Sequence, residues 1–164
     1  MRNERTGESM PDTVKNGVNP VNEITFGVCT TGRPTDTEMK TATYTTVKDA
    51  ENLSISIDGN IEEWNPMDMA GWKRRLMTAK SLGISMGGKR NYGDAGNDYV
   101  AGLAFKNGQD CNTTMKITFP NGDALYVPGV INVTSLGGES TAIDALEWEL
   151  QSDGKPTYVA YEAA

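Results

Sequence analysis

The chain has 164 residues, with 15 Lys and Arg against 22 Asp and Glu, a formal net charge of −7, and no histidine. The missing imidazole excludes Ser-His-Asp and Cys-His nucleophilic sites, HExxH zinc sites and a histidine pH switch. The acidic balance argues against a surface built to grip nucleic acid, because neutralising phosphates takes a basic face.

The length predicts one domain with a core that needs no metal or disulfide support. Cys29 and Cys111 fit no CxxC or zinc spacing and read as free thiols. Residues 1–20 are polar, with Met1, Met10, Val14 and Val18 as their only larger apolar side chains, and show no leader pattern. They read as a flexible arm, with a single β domain over 21–164. No membrane insertion is expected. The longest charge-free run, Ala124–Gly138, contains Pro128, Asn132 and three glycines.

In chain order, Ile24, Phe26 and Val28 alternate with Thr25 and Gly27 and predict a strand over 23–29. A threonine-rich stretch follows, with a turn at Gly32–Pro34 and a second strand near Ala42–Val47. Leu53, Ile55, Ile57 and Ile61 share one face, opposed by Ser54, Ser56, Asp58 and Asn60. Asp58-Gly59 opens a hairpin there, or the strand continues through a bulge, since the phase survives the glycine. Trp64-Asn65-Pro66-Met67 ends it. A long strand is predicted over 71–87, where Leu82, Ile84 and Met86 alternate with Gly83, Ser85 and Gly87. A loop spans 87–97.

Residues 98–106 read as one short helix, capped by Asn97 or Asp98 and stopped at Asn107-Gly108. Cys111 to Phe119 alternates as a strand, and Pro120-Asn121-Gly122-Asp123 is a hairpin turn. The return strand covers Leu125–Thr134, with a bulge or edge irregularity at Pro128-Gly129. After a loop over 135–141, Leu146, Trp148 and Leu150 alternate with Glu147, Glu149 and Gln151. The fold class is therefore mainly β, a β-sandwich or open barrel with one flanking helix.

No constellation supports catalysis, and no cofactor or metal is expected. Asp58-x-Asn60-x-Glu62 lacks the glycine and distal glutamate of a calcium loop. Gly87-Gly88-Lys89 lacks P-loop spacing. The sequons at Asn52, Asn112 and Asn132 read as accidental. The one basic concentration, Lys73-Arg74-Arg75 with Lys80, Lys89 and Arg90, reads as an intersubunit charge patch or a solvated face.

The run from Ile55 to Asp68, reading ISIDGNIEEWNPMD, resembles the tail tube proteins of long-tailed bacteriophages. So do Lys80–Asn91, Gly96-Asn97-Asp98-Tyr99-Val100-Ala101-Gly102, and the closing Leu146–Tyr158. The likeness spans roughly residues 40–160. It implies a structural virion protein, assembled in the bacterial host cytoplasm, whose hexameric rings stack around a tape-measure protein. The inner strands would join a shared barrel, tail terminator and tail-tip proteins would meet its ends, and DNA would pass without being held. Trp64, Pro66, Met67, Trp72, Arg74, Arg75, Lys89 and Arg90 are then candidate interface residues, and Glu147 and Glu149 candidate lumen acids. The rival reading is a monomeric carbohydrate- or receptor-binding β-sandwich.

Overall fold

The computed structural model describes residues 15–162. Residues 1–14 of the expected arm lie outside the described residues. Seven strands form one antiparallel sheet: β1 (Thr25–Val28), β2 (Ala50–Trp64), β3 (Arg74–Lys89), β4 (Asn112–Thr118), β5 (Ala124–Gly137), β6 (Ala145–Ser152) and β7 (Thr157–Val159). Their order is β1-β4-β5-β6-β3-β2, with β7 pairing β5 off this path.

The sheet changes partners along β5. Its first part, Ala124–Val130, pairs with β4, and Gly129–Gly137 pairs with β6. Gly129 belongs to both ladders. A Cβ there would lie 2.4 Å from the Gln151 carbonyl oxygen, so only glycine fits. One buried cluster draws on both halves: Val28, Met115, Ile117 and Val127 with Ile84, Met86, Trp148 and Leu150. The helix α1 (Ala95–Gly102) adds Val100 and Ala101 to the same core.

Period-2 alternation is the cause of most of this architecture. Leu146, Trp148 and Leu150 point inward from β6, with exposures of 2, 3 and 0%. Of the residues that alternate with them, Glu147 and Gln151 are exposed and Glu149 is half-buried. The turn at Pro120–Asp123 forms as expected, with Gly122 at φ 93° and its N–H donating to the Phe119 carbonyl.

Four expectations need correction. The strand expected near Ala42–Val47 is a single bridge, Val28 to Thr45. The segment before it coils instead, with Met39 N–H donating to Thr35 O and Ala42 N–H to Glu38 O, which buries Met39. The helix is Ala95–Gly102 rather than 98–106, and a 3₁₀ turn, Leu103–Phe105, continues it. Asp94 is the cap, accepting from the Asn97 N–H at 3.0 Å. The irregularity expected at Pro128-Gly129 falls between Val133 and Ser135. Finally, β5 runs on to Gly137, through the start of the expected loop. The open choice at Asp58-Gly59 resolves as a continuous strand, whose register shifts between Asn60 and Ile61.

Asn97 is the hub at the base of β3. It is 1% exposed. Its Oδ1 accepts from Arg90 Nη1 (2.8 Å) and Asn91 N–H (3.0 Å), and its Nδ2 donates to Lys48 O (3.1 Å) and Lys89 O (3.0 Å). Four bonds thus tie α1 to both flanking loops, and a fully bonded buried amide is costly to remove. Core truncation should be costlier still. Trp148→Ala should lower unfolding free energy by roughly 3–5 kcal/mol in denaturant titrations of the unassembled protein.

Candidate assembly interface

The partner list of β3 defines the most unusual feature of the molecule. β6 accompanies β3 only from Gly83 to Lys89. From Arg74 to Leu82 its sole partner is β2. Residues 56–64 and 74–81 therefore form a two-stranded ribbon, and every one of them is exposed. A lone two-stranded ribbon is marginally stable in water.

The ribbon's apolar residues continue the pattern of the core. Leu53 and Ile55 are half-buried on the inner face of β2. The same alternation carries Ile57 and Ile61 past the body, where they are 64 and 51% exposed, with Met77 opposite Ile61. Nothing among the described residues covers this stripe. Its residues read in sequence as ordinary core positions, because alternation is the same whether or not anything packs on the face.

At the tip, Pro66 precedes a 3₁₀ turn, Met67–Met69, and Ala70 and Gly71 reverse the chain at φ 51° and 86°. Met67 and Trp72 are almost wholly outside, at 103 and 75% exposure. Trp64 faces Arg74 across the ladder, with the guanidinium 5.5 Å from the ring centre. Glu63 accepts from Lys73 (2.8 Å) and Arg75 (2.9 Å), and these two bonds hold its carboxyl below the usual carboxylate range. A bulge at Thr78 is pinned by bonds between Asn60 and the Thr78 hydroxyl.

The candidate interface residues thus fall into two groups. Trp64, Pro66, Met67, Trp72, Arg74 and Arg75 meet at the tip. Lys89 ends β3 and Arg90 follows it, roughly 50 Å of strand from the tip. There Lys89 pairs with Glu51 at 3.3 Å. Arg90 is largely buried, bonded to Asp98 at 2.8 Å and stacked on Tyr92. The basic residues do not form one patch.

Glu147 and Glu149 lie on the outward face of the four-stranded portion β2-β3-β6-β5. Pairing sets its residues in rows. Asn52, Gly87, Glu147 and Ser135 are level, as are Ser54, Ser85, Glu149 and Asn132, and Ser56, Gly83 and Gln151. The two glutamates carry the only formal charges in these rows. Asn132 Nδ2 donates to Glu149 at 3.1 Å. The remaining members are small or neutral. Among the described residues there is no metal-holding group of His, Cys, Asp and Glu.

A family model described as phage tail tube protein matches residues 33–158, most of the chain. The chain belongs to that family. This tail tube protein is a structural component of the virion tail and not an enzyme. Its fold is similar to a chain from the virion of a native gene transfer agent particle (TM-score 0.61, 16% identity, 87% of this chain and 100% of that one). It is equally similar to a chain from the tail of an empty gene transfer agent particle with C6 symmetry (TM-score 0.63, 16% identity, the same coverage). No curated protein sequence matches.

The Glu63 pairing gives a pH expectation. A carboxyl held low in the folded ribbon stabilises it above the unfolded value, and that contribution is lost as pH falls through the lowered one. The Glu63 carboxyl, followed by NMR, should titrate below the usual glutamate range, and K73A/R75A together should return it to that range.

Proposed function

We propose that this tail tube protein assembles head to tail into hexameric rings that stack into a hollow tube for DNA. One observation carries the reading: the four-stranded portion β2-β3-β6-β5 has two unpaired edges. Among the described residues, β2 ends the sheet along its whole length, and β5 has no strand partner on its other side from Ile131 to Gly137. Exposed edges of this length invite pairing with another chain. Joining the β2 edge of one copy to the β5 edge of the next removes both. Closed at the six-fold symmetry of the gene transfer agent tail, six copies of four strands give a 24-stranded barrel. At ordinary strand spacing and tilt its backbone diameter is about 48 Å, wide enough for duplex DNA or a tape-measure protein.

In this arrangement the serine, glycine and glutamate rows face the lumen. Small neutral residues offer DNA little to bind, and Glu147 and Glu149 repel its phosphates. The ribbon projects from the ring plane and makes the stacking contact, with Trp64, Met67 and Trp72 foremost. Residues 21–164 act as the tube domain. Terminator and tip proteins meet the two open ends.

Two outcomes test this. Trp72→Ala should abolish tubes in negative-stain images while leaving a soluble chain with an unchanged circular-dichroism spectrum, since the residue is exposed and outside the core. E147K/E149K should leave tubes assembled but slow DNA ejection, measured as DNA released per unit time. Ejection at the unmodified rate would contradict the repulsive lumen.

A further inference from the structure

The ribbon tip needs a receiving surface, and one stands at the opposite end of the same chain. Lys89, Ala145 and Gly137 are level there, at the far end of β3, β6 and β5 from the tip. Beside them Tyr92, Phe105, Leu136 and Asp144, with Ala101 of α1, line an open cleft of about 270 Å³. Its apolar walls are unusually exposed: Phe105 at 93%, Tyr92 at 75% and Leu136 at 41%, with Ile143 next to Asp144 at 70%. The core does not use these side chains. Such a cluster on a soluble surface marks a contact site. The cleft is smaller than ordinary small-molecule pockets and nearer the size of one aromatic side chain.

Charge agrees with a tip as the occupant. Arg90 and Asp98 also line the cleft and hold each other at 2.8 Å, Lys89 beside them is paired with Glu51, and Lys106 follows Phe105, which leaves Asp144 as the lining carboxylate without an ion pair among the described residues. The Asp144 and Glu139 carboxylates make no ion pair among the described residues, and the Asp144 carboxylate accepts from the Tyr92 hydroxyl at 3.3 Å. On the tip, Glu63 is taken by Lys73 and Arg75, while Arg74 has the Trp64 ring and no carboxylate among the described residues. Glu62 and Asp68 also lie on the tip, so the match is local, Arg74 to Asp144, rather than one of net charge.

We infer that the cleft formed by Tyr92, Phe105, Leu136 and Asp144 receives the Trp64–Trp72 tip of a copy in the next ring. The inference rests on the stacking role proposed for the ribbon and names its partner surface. Donor and acceptor stand at opposite ends of one chain. Such a contact is heterologous and cannot close within a pair, so it propagates along an axis.

The full chain is tested by charge exchange, with tube length read in negative-stain images. Arg74→Glu and Asp144→Arg should each weaken ring-ring association about tenfold or more, and the double variant should restore tubes. Phe105→Glu should leave a folded chain, checked by circular dichroism, that forms no tubes. Tubes of ordinary length from Phe105→Glu, or a double variant no better than either single one, would overturn the cleft assignment and leave the tube reading standing. An unmodified chain that makes no tubes at all would overturn the tube reading itself.

Discussion

The structure depends on one unmet requirement, that extended backbone find a partner. β2 has a free edge along all its 15 residues, and the ribbon beyond the body has no third strand. Each unpaired N–H and C=O must take water or another chain. The exposed stripe of Ile57, Ile61 and Met77 adds an apolar demand in the same place. A second copy answers both at once, by extending the sheet and covering the stripe. The subunit has its own core finished and its edges left open, as the barrel of six copies proposed above requires.

That finished core gives the open parts a rigid base. Trp148, Leu150 and Ile84 fasten β6 to β3 just where the ribbon leaves the body. Asn97 fixes the other end of β3 through the Lys89 carbonyl. Two glycines allow this close packing. A Cβ on Gly88 would lie 2.1 Å from Asp49 O, and one on Gly96 would lie 2.3 Å from Thr46 O. A lever 16 residues long is thus held firmly at one end and presented at the other. Over the four-stranded portion the outward face is small and neutral apart from Glu147 and Glu149, and the same face continues onto the ribbon with Asp58 and Glu62, acids that suit passage of DNA rather than binding.

Much of this was legible in the sequence where a period was clean. The alternation of Leu53–Ile61, Leu82–Met86, Cys111–Phe119 and Leu146–Leu150 located four strands, and strings of residues around them located the family. The helix was misplaced by three residues because Asn97 and Asp98 look like caps. Asp94 takes that role, which frees Asn97 for the buried hub and Asp98 for Arg90. The threonine-rich segment carries the composition of a strand but makes only the Val28–Thr45 bridge, since β-branched residues suit extended backbone but do not supply a partner for it. The basic residues read as one group in sequence and are separated by the length of β3. The exposed apolar stripe was invisible for a physical reason: alternation reports which face a side chain takes, never whether that face is covered. The cleft near Phe105 joins residues from three distant segments and had no local signal.

The central claim is that the ribbon and the β2 edge acquire their stability from neighbouring copies. Amide hydrogen exchange of residues 56–64 and 74–81, compared between unassembled chain and tube, tests it most directly. The ribbon amides should exchange rapidly in the free chain, while those of β4 and β6 remain protected, and should become strongly protected on assembly. Ribbon amides as protected in the free chain as in the tube would contradict it.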